Sequence, residues 1–163
     1  MKKVLKSIIK LGSIISIIGV ALYFREKQLK NKYNNSERYR VYYSIVNEWI
    51  ANKNAGKKFE NYFKEYQYKK IVIYGTGTMA ENFYNEIKES DIQVACFVDR
   101  NAGKMNDYKD NIKILSIESL LKFNDYDVIV VTPIYDYDNI VLDLNNAGIN
   151  KAIVSLEDVI LGV

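Results

Sequence analysis

The sequence predicts an α/β protein whose parallel five-stranded sheet has the strand order 3-2-1-4-5 and is preceded by N-terminal helices, the first of them apolar. Three observations predict this fold. After residue 69, β-branched runs alternate with helical patterns, as in sheets built from βαβ units. The strand at residues 71–74 enters a Gly-x-Gly-x-x-Ala loop that opens a helix. The second strand, residues 93–98, ends at an acidic residue, the arrangement of a nucleotide-binding sheet.

The glycine loop is the first candidate site. Gly75 is expected to permit the tight turn, Gly77 to let a pyrophosphate approach the backbone, and Ala80 to keep the helix close to the strand. Unpaired N–H groups and the positive dipole end of the helix favour an anion there. The candidate phosphate contacts are therefore Gly75, Thr76, Gly77, Thr78, Met79 and Ala80.

A second candidate site follows the second strand. Asp99 lies 24 residues after Gly75, where a carboxylate accepts hydrogen bonds from ribose hydroxyls. The alternative is that Asp99 only starts a turn with residues 100–103. The neighbouring Arg100 is a candidate contact for a 2′-phosphate or for a second phosphate group. We expect ribose to lie at this position if a nucleotide binds.

The remaining strands are predicted at residues 112–115, 127–132 and 151–154. Ser116 is expected to cap a short helix through Phe123, a helix is predicted for residues 138–147, and Ser155 is expected to start a last helical turn over residues 156–161. The run at 127–132 is almost entirely β-branched, which is typical of a strand buried on both faces.

A third group of candidate residues follows the fourth strand. Parallel sheets of this order bind ligands where the strand order reverses, at the carboxyl ends of strands one and four. Thr132, Pro133 and Tyr135 are therefore expected opposite the glycine loop, with Tyr135 or Tyr137 stacking on a base or sugar. The alternative for this segment is a solvated loop that leads to a helix cap at Asp138.

Composition excludes several function classes. The net charge of +3 is too small to indicate nucleic-acid binding. There is no histidine, and no Cys/His/carboxylate cluster has metal-ligand spacing, so we predict no metal site. Cys96 lies within a predicted buried strand and is expected to pack as a small hydrophobic residue. Tyr-x-x-x-Lys pairs occur three times, but with 14 tyrosines chance explains them. The sequence favours binding over catalysis.

The N-terminal segment predicts membrane attachment through residues 4–24, which are mostly apolar. Lysines and serines at helical spacing form a polar stripe in its first half, which favours an interfacial helix over a spanning one. A signal peptide and a helix that packs on protein are the alternatives. Because nucleotide chemistry belongs inside the cell, we expect the rest of the chain at the cytoplasmic face of the membrane.

Aromatic helices are predicted for the middle of the chain, giving domains at residues 1–32, 33–68 and 69–163. In each of two stripes, aromatic and apolar residues recur three or four positions apart. The first contains Tyr39, Tyr42, Tyr43, Val46, Trp49 and Ile50, and the second contains Phe59, Tyr62, Phe63 and Tyr66. We expect them to pack against the sheet; the alternative is a surface for a homodimer or for a glycosyltransferase partner.

From about residue 69 onward the chain resembles a recurrent Rossmann module. The resemblance rests on Gly75–Ala80, on Phe97-Val98-Asp99, on residues 112–121 and 126–130, and on the Gly148-Ile149 turn. The module is similar to the N-terminal nucleotide-sugar-binding domain of sugar acetyltransferases, to the Rossmann part of membrane-bound polysaccharide-biosynthesis epimerase/dehydratases, and to the NADH-binding domain of Rex redox repressors.

The resemblance implies a nucleotide-type small-molecule ligand, a nucleotide-sugar or NAD(H), in cell-surface polysaccharide biosynthesis such as capsule assembly. The chain lacks the acetyltransferase β-helix, the epimerase catalytic domain and the repressor winged helix, so only the binding role is carried over. Two alternatives stay open. One is an NAD-dependent sugar-nucleotide enzyme completed by a partner, and the other is a ligand-free module that recruits a glycosyltransferase.

Overall fold

The computed structural model describes residues 2–104 and 108–163, and the side chains of residues 20, 22–103 and 109–163. The chain divides into two compact units, Met1–Val41 and Tyr42–Val163. The first unit is helical. The second contains the end of the first helix and the whole sheet. The predicted domain limits at residues 32 and 68 stay a prediction.

The first helix, α1, extends from Lys2 to Asn54 and therefore contains both the predicted apolar segment, residues 4–24, and the first predicted aromatic stripe, residues 39–50. It ends just before a glycine. Gly56 has a φ of +72°, and its N–H donates to the Lys53 carbonyl at 3.1 Å while the Lys57 N–H donates to the Asn52 carbonyl at 3.0 Å. These two bonds form the glycine-dependent C-terminal motif that stops a helix.

Among the described residues, no helix has a stretch that is both long and apolar enough to cross a membrane. The side chains of residues 2–19 and of Ala21, which carry most of the predicted membrane contact, lie outside the described part. Membrane attachment through residues 4–24 therefore stays a prediction.

The second unit builds a sheet flanked by short helices. Its strands are β1 (Lys70–Tyr74), β2 (Gln93–Val98), β3 (Tyr108–Lys109), β4 (Ile112–Leu115), β5 (Val128–Val131) and β6 (Ala152–Ser155). Its helices after α1 are α2 (Phe59–Glu65), α3 (Thr78–Ile87), α4 (Ile117–Leu120), α5 (Tyr137–Asn146) and α6 (Leu156–Leu161).

The strand order is β3-β4-β2-β1-β5-β6, and every pair is parallel except β3 with β4. The five predicted strands correspond to β1, β2, β4, β5 and β6, so the predicted order 3-2-1-4-5 and the Rossmann-like fold are confirmed. The prediction missed β3, a two-residue antiparallel strand at the edge. It is joined to β4 by Asp110 and Asn111, whose φ values of +50° and +65° suit a two-residue hairpin turn.

Both faces of the sheet are covered, since all four residues of β5 are fully buried. On one face, Leu120 of α4 and Leu144 of α5 pack against Val72, Tyr74 and Cys96 of the sheet. The other face carries an aromatic cluster contributed by α1, α2 and α3. Its ring centroids are 5.2 Å apart for Trp49 and Phe59, 5.7 Å for Phe59 and Phe83, and 6.2 Å for Phe63 and Phe83.

The predicted packing stripe of the aromatic helix needs a correction. Trp49 is buried as expected, but Tyr43 is 73% and Ile50 is 52% exposed, and Tyr39 is also exposed. The buried residues of this helix are instead Ile45, Trp49 and Asn52, spaced four and three apart. Asn52 fixes that rotation because its amide Nδ2 donates to the Ile160 carbonyl at 2.6 Å. Tyr66 of the second predicted stripe follows the end of that helix and is exposed as well.

Several predicted helix limits also change. Ser116 caps α4 as predicted, with its Oγ accepting from the Ser119 N–H, but the helix ends at Leu120. Ser155 caps α6 as predicted. The helix α5 begins at Tyr137, so Asp138 lies in its first turn and is not the cap. The preceding 3₁₀ turn, Ile134–Asp136, moves the start because it continues directly into the helix.

The side chain of Asp127 joins the starts of β1 and β5. Its Oδ2 accepts the N–H groups of Lys69 and Lys70, each at 2.8 Å. These two bonds, the first being the larger cause, lower the pKa of Asp127. A lowered pKa in the folded state stabilises the fold above the unfolded-state pKa, about 3.9, and this contribution is lost as the pH falls through the folded-state value.

We therefore expect Asp127→Asn to be less stable than the wild type at pH 7, with the difference shrinking below about pH 4. The measurement is urea denaturation of both proteins at several pH values between 7 and 3. A difference in the free energy of unfolding that stays constant over this range would contradict the assignment.

Candidate functional site

Gly75 turns the chain at the carboxyl end of β1. Its φ is +101°, a conformation that side-chain-bearing residues rarely adopt. A Cβ at this position would lie 2.7 Å from the Thr132 Oγ1 and 3.2 Å from the Pro133 Cδ. Its N–H donates to the Val98 carbonyl of β2 at 2.7 Å. Both the conformation and the packing of this turn therefore require glycine, which confirms the predicted tight turn.

Gly77 differs from Gly75 because none of the described residues requires a glycine there. Its φ is −76°, and a Cβ would meet no described atom within 4 Å. Gly77 is the N-cap residue of α3 and has no side chain to cap that helix. Gly77 and Thr78 are both exposed. The residue thus leaves an open approach to the backbone N–H groups at the start of α3.

The two remaining loop residues point into the protein. Ala80 is fully buried, which allows α3 to lie close to the sheet as predicted. The half-buried Met79 side chain lines a groove beside α1, together with Val46, Trp49 and Ile50. At Met79 and Ala80 the backbone N–H, and not the side chain, is therefore the group available to an anion.

Asp99 follows β2 and contacts the glycine loop. Its Oδ2 accepts a hydrogen bond from the Thr76 hydroxyl at 2.8 Å, and its Oδ1 accepts the Asn101 N–H at 2.9 Å. The bond to Asn101 and the 3₁₀ turn at Ala102–Lys104 show that Asp99 also starts a turn, which is the alternative given above for this residue. Each carboxylate oxygen has a further lone pair, so these two bonds leave acceptor capacity for a ribose hydroxyl.

Arg100 belongs to an ion pair with α5. Its guanidinium donates to the Asp143 Oδ2 at 2.6 Å, with both side chains half exposed. Arg100 also lies near Tyr74: burial raises the pKa of Tyr74, and the guanidinium partly offsets that rise. The structure thus gives Arg100 a partner within the fold, while its contact with a ligand phosphate stays a prediction.

Thr132 and Pro133 lie directly against Gly75, as the strand order predicts. The Thr132 side chain is 2% exposed, and its hydroxyl donates to the Tyr74 carbonyl at 2.9 Å. The buried Thr132 side chain therefore packs against Gly75 and limits the space at the turn. Pro133 packs against the same glycine and is half-buried. These two residues form the floor of the candidate site.

The two tyrosines after Pro133 have different surroundings. Tyr135 is 40% exposed, so its ring remains accessible. The Tyr137 hydroxyl donates to the Ile153 carbonyl of β6 at 3.1 Å, and the side chain is partly buried. Tyr137 therefore has a packing role, and Tyr135 is the remaining candidate for stacking.

Lys109 is a site residue that the sequence reasoning missed. It belongs to β3, and its ammonium lies 3.4 Å from the Thr76 carbonyl and 3.5 Å from the Glu81 Oε2 of α3. It also lies 6.0 Å from the centre of the Phe97 ring. The available signal was Asp110-Asn111, a pair that favours positive φ and a two-residue hairpin. That hairpin brings a cation to the glycine loop.

The chemistry that this arrangement offers is the binding of an anion next to a hydroxyl acceptor. Backbone N–H groups at the start of α3, the Thr76–Asp99 pair and Lys109 all lie around one end of β1. Cys96, in contrast, is buried, and burial raises the pKa of its thiol to about 12, which disfavours the nucleophilic thiolate. Within the residues that the structure describes, no group of three His, Cys, Asp or Glu side chains could hold a metal ion.

A family model described as C2185-like, N-terminal, matches residues 67–154 of this chain. No functionally curated protein matches the sequence. Among solved structures, the chain is similar to the crystal structure of UDP-D-quinovosamine 4-dehydrogenase from Vibrio fischeri, with 20% sequence identity and a TM-score of 0.42. That likeness covers 58% of this chain and 84% of the other. At this level it carries no argument about function.

Proposed function

The chain belongs to the C2185-like, N-terminal family, and we propose that this member binds a nucleotide at the carboxyl edge of its sheet. The observation that carries the proposal is Gly77. Packing against the described part of the chain does not explain this glycine, because a Cβ there would meet none of its atoms within 4 Å. A ligand that must approach the backbone closely does explain it.

The phosphates of the nucleotide would lie on the loop from Gly75 to Thr78. The N–H groups of the first turn of α3 have no partner within the helix, and the positive end of the helix dipole favours an anion. The exposure of Gly77 and Thr78 supports this placement, since both residues are open to solvent. A diphosphate fits the Gly-x-Gly spacing because the second glycine admits the pyrophosphate to the backbone.

The ribose would lie at Asp99. The Thr76 hydroxyl holds one oxygen of this carboxylate at 2.8 Å, which orients the group beside the loop. Because Arg100 is paired with Asp143, a ligand with a free 2′-hydroxyl is favoured over one that carries a 2′-phosphate. The proposed ligands are therefore a nucleotide-sugar or NAD(H), with the sugar or base near Thr132, Pro133 and Tyr135.

We also propose that the protein binds this ligand without transforming it, as part of cell-surface polysaccharide biosynthesis at the cytoplasmic face of the membrane. The apolar residues 4–24 support the membrane setting, and the lack of histidine supports a binding role. An exposed apolar surface that includes Tyr43 and Ile50 supports a homodimer or a glycosyltransferase partner.

The test is isothermal titration of the full chain with UDP, UDP-sugars, NAD(H) and NADP(H). Micromolar binding of UDP-sugars or of NAD(H) would support the proposal. Consumption of NADH in the presence of a UDP-sugar would favour the partner-completed enzyme. Failure of every nucleotide to bind would overturn the proposal in favour of the ligand-free interaction module.

Substitution of Gly77 by alanine gives the sharpest variant. We expect at least a tenfold rise in the Kd for the bound nucleotide, about 1.4 kcal/mol, because the new methyl group occupies the phosphate approach. The matched control is Gly103→Ala, since a Cβ at Gly103 also meets no atom of the described residues within 4 Å. Equal affinity in the two variants would contradict the role of Gly77.

A further inference from the structure

The edge hairpin β3–β4 places one cation beside the glycine loop. Lys109 pairs with Ile112 across the antiparallel hairpin, and its side chain reaches Thr76 after β1 and Glu81 in α3. Lys113, on the neighbouring strand, is exposed. It lines a different cavity, beside Cys96 and Ser116. The position of Lys109 is therefore specific to the candidate site and is not shared by its neighbour.

The ammonium group of Lys109 is largely shielded from water, but its two oxygen partners lie at long distances. Its side chain is 19% exposed. Its ammonium lies 3.4 Å and 3.5 Å from its two oxygen partners, whereas a charge-assisted hydrogen bond spans roughly 2.7–2.9 Å. The Lys53–Glu86 ion pair, which also involves a glutamate of α3, shows the tighter distance of 2.7 Å. An ammonium has three donors, so Lys109 retains capacity for a closer anion.

We infer that Lys109 is the phosphate-binding cation of this site, held in the free protein by Glu81 and the Thr76 carbonyl and transferred to a nucleoside diphosphate when one binds. This inference rests on the proposed function. It assigns recognition of the diphosphate group to a lysine on the edge hairpin, and it gives Glu81 the role of a competitor for the same ammonium.

The competition gives the two residues opposite effects on binding. Removal of the Lys109 charge takes away a favourable contact with the phosphates. Removal of the Glu81 charge releases Lys109 and also removes a carboxylate that repels an anion at the start of α3. A purely structural ion pair would behave differently, because loss of either partner would change stability and leave the affinity for phosphate unchanged.

The experiment measures Kd for UDP and ADP, and for uridine and adenosine as phosphate-free probes, by isothermal titration of the full chain. For the diphosphates we expect Lys109→Gln to raise Kd about ten- to hundredfold, Lys109→Arg to restore most of the affinity, and Glu81→Gln to lower Kd about two- to tenfold. The nucleosides should show no such change. The salt dependence of diphosphate binding should also weaken in Lys109→Gln.

The matched control is Lys113→Gln, which removes the same charge one strand away, and circular dichroism confirms folding of each variant. If the wild type binds a diphosphate and Lys109→Gln binds it equally well, the role of Lys109 is overturned while the proposed function stands. If Glu81→Gln weakens binding, the competition is overturned. If the wild type binds no nucleotide, both the proposed function and this inference fail.

Discussion

Gly75→Ala is expected to lower the free energy of unfolding by about 2–5 kcal/mol. Two costs add. The φ of +101° is unfavourable for alanine by roughly 1–2 kcal/mol. The new Cβ would also lie 2.7 Å from the Thr132 Oγ1 and 3.2 Å from Pro133, and overpacking of this kind costs roughly 1–3 kcal/mol. Thr132 has little room to move, because it is buried and bonded to the Tyr74 carbonyl.

The measurement is urea denaturation followed by circular dichroism, with Gly77→Ala as the control. At Gly77 the φ is −76° and the space is open, so we expect a loss of about 1 kcal/mol or less. Comparison of the two variants tests whether the glycines have different roles: we expect Gly75 to be required for stability and Gly77 for ligand binding. Similar losses of stability in the two variants would contradict this division.

Phe83→Ala is expected to cost about 3–5 kcal/mol, the range for truncation of a buried aromatic residue. Phe83 is fully buried in α3, and its ring lies within 6.2 Å of both Phe59 and Phe63 of α2. Its removal would leave a cavity where α2 and α3 meet, because the surrounding side chains relax only partly into the space of a deleted ring. The effect should appear as a lower urea midpoint with little change in slope.

The control for Phe83 is Tyr43→Ala. Tyr43 is 73% exposed on α1, so its truncation should change the free energy of unfolding by about 0.5 kcal/mol or less. A large loss for Tyr43→Ala would show that this side chain is covered in solution, which is the result expected if a partner or a second copy of the chain packs on it.

The core of the sheet was predictable because its strands carry strong local signals. Residues 128–131 are all β-branched and all buried, and Gly-x-Gly followed by a helix locates the end of β1. β3 was not predictable from periodicity, because two residues contain no period. The rotation of α1 was also missed, since most of the aromatic stripe is exposed and the buried amide of Asn52 decides which residues face the sheet.

The candidate site was predictable in its backbone and less so in its side chains. The strand order alone places Thr132 and Pro133 beside Gly75. What the individual side chains bond to depends on contacts distant in sequence: Arg100 pairs with Asp143, Tyr137 bonds to Ile153, and Lys109 reaches Thr76. Residue spacing carries no information about such pairs, so they required the structure.

The central position of β1 has a consequence for the order in which the chain folds. One edge of β1 pairs with β2, where Ile71 lies opposite Val94. The other edge pairs with β5, where Ile71 lies opposite Val128. During synthesis from the N-terminus, the first pairing becomes possible long before the second, so β1 has an open hydrogen-bonding edge until β5 is made. The local helix α1 can form early, whereas completion of the sheet must wait until β5 and β6 have been made.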